Sequence, residues 1–217
     1  ATITASENIT ATTVEITGTA DISAVNATFG TLDVTGAATV ITTGDLTVTT
    51  GSFGSDATVN VGGNAKVDDL TVAGASDIDV TGNFETTNAT LTGAADVNVK
   101  GNFTATNVTA EESLVLAVTN AATVEKLAVT KDLTATATDL TVSEKLTVGG
   151  NAEVEATTVT VATAEITGNA TIKAETVKVD SMTVGKDLTA EVKNLDVTVK
   201  LDVDGNAEIT ATENINA

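Results

Sequence analysis

Six asparagines in this chain, Asn8, Asn26, Asn88, Asn102, Asn107 and Asn169, each open an Asn-x-Thr triplet. That triplet is the acceptor for an N-linked sugar on an exposed loop of an exported protein. Because Thr is so common here, some of the six arise by chance. A second group is acidic: Asp68 beside Asp69, Asp77 two before Asp79, and Asp202 two before Asp204. Carboxylates spaced like this near chain corners could hold calcium, a hard cation that takes oxygen ligands. The glycine-rich nonapeptide of calcium-binding solenoids is missing, so the expectation is no cofactor, with exposed acids that keep strands soluble. Glu111 and Glu112 adjoin, but successive strand residues face opposite sides, which separates a glycosidase pair. Thr47 with Thr49 and Thr158 with Thr160 could begin a flat ice-binding array. One repeat later Thr160 becomes Lys178, and the array is not kept.

What the chain lacks is equally informative. It has no His, Cys, Pro, Trp or Tyr, and its ten basic residues are all Lys. Nucleophilic triads need His or a comparable base, and zinc sites need His or Cys. Those reactions are excluded, and the chain reads as a non-enzyme. A net charge of -20 repels nucleic acid, whose binding needs basic patches. No apolar run is long enough to span a membrane, so no membrane insertion is expected. The apolar residues are almost all Val, Ala, Leu and Ile, and aromatics make up only 2%. So narrow a vocabulary is typical of a repetitive structural protein.

The repeat is visible directly. "NAEVEATTVTVATAEITG" (Asn151 to Gly168) is followed by "NATIKAETVKVDSMTVGK" (Asn169 to Lys186), and "GNF" at Gly82 returns at Gly101, which sets a period of 18 to 19 residues. Alignment on this period stacks Val154 on Ile172, Val159 on Val177 and Leu195, and Val161 on Val179 and Val197. Apolar residues alternate with Thr, Lys, Glu or Asp, the period-two signature of strands with one buried face. Charges agree with this register: Glu155 lands on Lys173 and Lys173 on Glu191, Glu175 on Lys193, and Lys126 on Glu144. A strand unit this short repeats in step only as one rung of a coil. The prediction is therefore an all-β fold, a parallel β-solenoid of about 11 rungs forming a single domain over residues 1–217, roughly 50 Å long. Gly and Asn, as in "GGN" and "TGN", are expected at corners that need positive φ. Gly54 to Gly82 spans 28 residues and Asn120 to Gly150 spans 30, about one and a half rungs each. These slips leave two cross-sections open, a triangle of three short strands or a flattened pair of sheets. Phe84 and Phe103, with Phe29 and Phe53, are expected inside.

Rows such as "GNAEVEATTVTVATAEITGNATIKAETVKV" resemble the roughly 19-residue repeats of filamentous haemagglutinin-type β-helical surface proteins, and the likeness covers nearly the whole chain. This resemblance implies an extended exported scaffold and does not imply adhesion, because that family's secretion-domain motifs are absent here. Bactofilins, short β-helical cytoskeletal polymers, are similar in architecture. This chain is richer in Thr and twice as long.

The chain starts and finishes with nearly the same words: Ile3 to Ile9 reads ITASENI and Ile209 to Ile215 reads ITATENI, 206 residues later. Both ends thus lie at one phase of the coil, without an evident capping helix, charge block or proline. Open strand rows of matching phase are a template for another copy. Ile3, Ile9, Ile209 and Ile215 are therefore the expected assembly ends of a head-to-tail homopolymer, an extracellular or cell-surface filament, sheath or surface layer. An initial Ala in place of Met fits a processed, exported terminus. A stalk segment of a β-helical adhesin is the alternative.

Overall fold

A computed structural model describes residues 1–216. It is all-β, with 19 strands from Thr2–Thr4 to Ala207–Asn216, wound as a β-solenoid of about 11 turns. Neighbouring turns pair in parallel, as in Phe84↔Phe103 and Val154↔Ile172. β-Branched Val, Ile and Thr fill these strands because they suit a pleated surface buried on one side. The sequence columns hold, since Val159, Val177 and Leu195 are ladder neighbours, as are Val161, Val179 and Val197.

The turn from Phe84 to Asn102 displays the cross-section. Phe84 and Thr86 point inward, then Thr87 and Asn88 both point outward; Ala89 and Leu91 point inward before a break at Thr92–Ala94. Ala95, Val97 and Val99 follow, and Lys100–Asn102 closes the turn. Side chains in a straight strand alternate, so consecutive outward residues mark a bend. Each turn has three bends and three inward-facing runs, which we name the first, second and third faces in that order. The cross-section is three-sided rather than flattened.

This layout explains the slips of one and a half rungs. Gly82-Asn83 and Gly101-Asn102 turn the corner from third to first face, whereas Gly150-Asn151 and Gly168-Asn169 turn the corner from second to third. The Gly-Asn word changes corners while the coil keeps its period. From Leu133 onward the corner from third to first face shortens to two residues, Thr138 and Asp139, and the strand runs on through it as Leu133–Val148.

Positive φ is not what places glycine at the corners. Among the described residues no residue other than Gly has positive φ, and among the glycines only Gly18 does, at 96°. The corners need room. A Cβ on Gly82 would lie 2.6 Å from the carbonyl oxygen of Gly63, one turn earlier. Gly82 donates its N–H to that same oxygen at 2.8 Å, so the side-chain space is occupied by the rung below.

Inside, the columns of Val, Leu, Ile and Ala form a single continuous core. Phe84 and Phe103 stack within it, ring centroids 5.3 Å apart and tilted by 49°. Phe29 and Phe53 are buried as well. Small residues offset the large ones: Phe84 lies between Ala65 and Phe103 in its column, and Phe103 is followed by Ala122. Two buried hydroxyls are satisfied locally, Thr42 donating to the Gly44 carbonyl at 3.0 Å and Thr86 to that of Asn88 at 3.2 Å. Ser76 Oγ is buried without a partner, in a column where its neighbours are Ala57 and Ala95.

Gly51 faces the core beside a void of about 20 Å³, and an added Cβ would meet only Val67, Leu70 and Val48 at 3.6–3.7 Å. Gly51→Ala should therefore stabilise by about 1 kcal/mol, through a buried methyl and a stiffer unfolded chain. Gly82→Ala should cost about 2 kcal/mol, because the neighbouring rung must move. Ser76→Ala should be neutral or stabilise by up to about 1 kcal/mol. Calorimetric melting of the three variants checks these signs.

Candidate functional site

The two terminal rows are the first candidate. Ile3 pairs with Ile22, and eleven ladder steps through Val40, Ile78, Leu116, Val154 and Ala190 arrive at Ile209. Ile9 likewise pairs with Ala27, and eleven steps through Leu46, Phe84, Leu140 and Leu195 arrive at Ile215. The four isoleucines thus occupy two inward columns, one on the third face and one on the first. Within the described residues, the row Thr2–Ile16 pairs only with the turn after it and Ala207–Asn216 only with the turn before it. Both rows therefore leave strand donors and acceptors unpaired on their outer edge. The inward side chains there lack a covering layer: Ile3, Ile9, Val14, Leu201, Val203 and Ile209 are only partly buried, and Ile215 is 57% exposed.

Amide side chains form the second feature, and it bears on all six Asn-x-Thr asparagines. At the corner from third to first face, asparagine carbonyl oxygens accept from the next turn: Asn102 N–H donates to Asn83 Oδ1, and Asn83 N–H to Asn64 Oδ1, both at 2.9 Å. Asn26 belongs to this corner and accepts from Asp45 N–H at 2.7 Å, while Asn102 accepts from Ala121 N–H at 3.2 Å. Asn8 Oδ1 accepts from Asn26 Nδ2 at 2.8 Å. Asn169 lies on the corner between second and third faces, where its N–H donates to Asn151 Oδ1 at 2.9 Å and its Oδ1 accepts from Asp187 N–H at 3.1 Å. Asn88 and Asn107 lie at the bend between first and second faces, with Asn88 Nδ2 bonded to Asp69 at 2.7 Å and Asn107 Nδ2 to Asn88 at 2.9 Å. At the other two corners the backbone turns out of line and an Asx oxygen takes up an N–H of the next turn, whereas at the bend between first and second faces the bonds run between side chains. The sequence reading treated these asparagines as acceptors for sugar. Their second signal, Asn or Asp recurring in one column, identifies the ladder.

The acidic pairs disperse. Asp69 accepts from Asn88, Asp202 accepts from Lys200 at 2.6 Å, and among the described residues no three Asp or Glu side chains converge as a metal cage. Asp77 and Asp79 share an outward strand with Asp96 opposite Asp77. Partial burial, then the charges of Asp79 and Asp96, push the Asp77 carboxyl above its usual range. Glu112 pairs with Lys131 and takes no part with Glu111.

The charge columns read from the sequence are present except at Lys126, whose ladder partner is Lys145 rather than Glu144. Lys193 contacts Glu175 at 2.5 Å and Lys126 contacts Glu144 at 3.1 Å; Lys173 lies in register between Glu155 and Glu191. The Lys66 ammonium is raised above its usual range by its hydrogen bond to Glu85, and Lys193 by its bond to Glu175. Such exposed pairs favour the register and add little to stability.

A concavity of about 620 Å³ is an open trough outside the coil lined by Val118, Ala137, Ala156 and Ala174 together with Glu155, Lys173 and Glu175. It lies where the corner from third to first face has shortened. No helix of the described residues is long and apolar enough to cross a membrane. Comparison with protein-family models, with curated proteins and with solved structures returns no match.

The amide ladder makes a specific demand on Asn83. Asn83→Ala leaves the Asn102 N–H to water and should destabilise by about 1 kcal/mol, whereas Asn83→Asp keeps the acceptor and should melt within about a degree of the parent. Paired thermal melts at neutral pH distinguish the two variants.

Proposed function

We propose that this chain is a self-assembling structural protein whose copies join end to end through open solenoid rungs, forming an extracellular filament, sheath or surface layer. The supporting observation is the pair of terminal rows, each unpaired on its outer side within the described residues and both at the same phase of the coil. A parallel ladder has no preferred length, because each rung offers its successor the same donors, acceptors and apolar columns that it received. A heterologous contact of this kind does not close on itself, so it generates a rod. The role is mechanical and needs no cofactor: hydrogen bonds run along the axis, and Val, Ile and Leu columns fill a dry interior. The partner is a second copy of the chain. A charge of -20 per copy opposes association at low salt and is screened as salt rises.

The resemblance to haemagglutinin-type repeats supports an exported, extended scaffold. It equally suits a stalk segment of a β-helical adhesin, in which the same open rows continue into more of one polypeptide. A bactofilin-like polymer shares the end-to-end principle.

Electron microscopy of the purified 217-residue chain at rising concentration and salt tests the proposal. Rods with lengths in multiples of roughly 50 Å are expected; particles that stay monomeric at high concentration contradict it. The assembled form should also resist detergent and heat that disperse ordinary globular domains, with intact rods remaining in images taken after treatment.

A further inference from the structure

We infer that copies join in one specific register: Ile209 of one copy stacks on Ile3 of the next, Asn214 on Asn8, and Ile215 on Ile9. This rests on the end-to-end reading above and adds the geometry of the joint. Each of these pairs belongs to one ladder column, so the joint is the column's next ordinary step. Thr210 then meets Thr4 and Ala211 meets Ala5, like on like across the third face.

The side-chain ladder selects this register independently. Asn26 Nδ2 donates to Asn8 Oδ1, and Asn214 Nδ2 donates to Asn194 Oδ1, both at 2.8 Å. In both steps the later turn gives the N–H and the earlier turn the oxygen. Asn8 therefore keeps an unused Nδ2 donor at one end, and Asn214 an unused Oδ1 acceptor at the other. Stacking Asn8 on Asn214 joins them with the same polarity as these two terminal steps. A slip of one residue would turn the isoleucines to solvent. A slip of two keeps the faces but sets Asn214 on Thr10 and ends the amide ladder.

The same register brings one repulsion. The column Glu175, Lys193, Glu213 alternates in charge, yet its next member is Glu7. Two carboxylates then face each other across the joint. Among the described residues the contacts of this joint fall on the third and first faces, between Ala207–Asn216 of one copy and Thr2–Ala11 of the next.

The chain has no cysteine, so paired cysteines report the register cleanly. Mixed T4C and T210C chains should form an intermolecular disulfide under mild oxidation. T2C mixed with T210C, offset by two residues to about 8 Å between Cα atoms, should cross-link at least about tenfold less. E7K, which restores charge alternation, should lower the concentration at which rods appear by about threefold and weaken their dependence on salt. Rods that form without the T4C–T210C bond, or with equal bonding in the offset pair, overturn the register and leave the end-to-end reading standing. An unchanged threshold in E7K also counts against it. Absence of rods altogether sinks the end-to-end reading itself.

Discussion

Parallel, in-register pairing between successive turns governs every other feature of this molecule. Because turns stack about 4.8 Å apart, each residue has its counterpart one turn away as its nearest neighbour in two directions. A side chain is tolerated only if it can be stacked on copies or complements of itself. Val, Ile and Leu meet this demand inside, where their columns form a continuous apolar core. Ala65 and Ala122 flank the Phe84–Phe103 pair, whereas Phe53 lies between Val34 and Val72. Outside, many charges alternate or are diluted with Thr, since like charges directly opposite one another repel, although Asp77 faces Asp96 and Lys126 faces Lys145. Even the corners obey this rule. Gly63, Gly82 and Gly101 stack on one another where a Cβ would collide with the carbonyl beneath, and Asn64, Asn83 and Asn102 stack with each oxygen capping the next backbone N–H.

Much of this was legible from the sequence because stacking converts structure into periodicity. The spacing of Val154 and Ile172, the inward–outward alternation and the Glu155–Lys173–Glu191 column each require the same 18-to-19-residue shift. The number of sides was not legible. A bend inside a strand, such as Thr87–Asn88, carries no Gly or Pro, and two outward polar residues in succession look like ordinary surface. The Gly-Asn word misled in another way, because it serves two different corners in the two halves of the chain. The role of the corner glycines was also hidden. Positive φ and close approach both select Gly, and only the neighbouring turn distinguishes them. The sequon asparagines show the same ambiguity, since an exposed Asn before x-Thr reads as a sugar acceptor whether or not its oxygen is holding a backbone N–H.

The functional reading grows from the same pairing rule applied at its limits. Inside the molecule each turn is both template and product, and the terminal rows retain the template's half of that relation. Asp69 and Asp202 are engaged by Asn88 and Lys200. The proposed contact with a partner rests on the backbone edge of each terminal row with its columns of Ile and Asn. Their phase match over eleven turns is a geometric fact about the coil. The use we propose for it is continuation into a second copy.

Amide hydrogen exchange, measured on the terminal strands as protein concentration is raised, tests that use most directly. The amides of Thr2–Thr4 and Ala207–Asn216 should exchange quickly in dilute solution and become protected together as copies join, while the interior turns stay protected throughout. Terminal amides that remain unprotected at concentrations where the protein is associated would show that copies meet by some other surface, and the account of the ends as templates would fail.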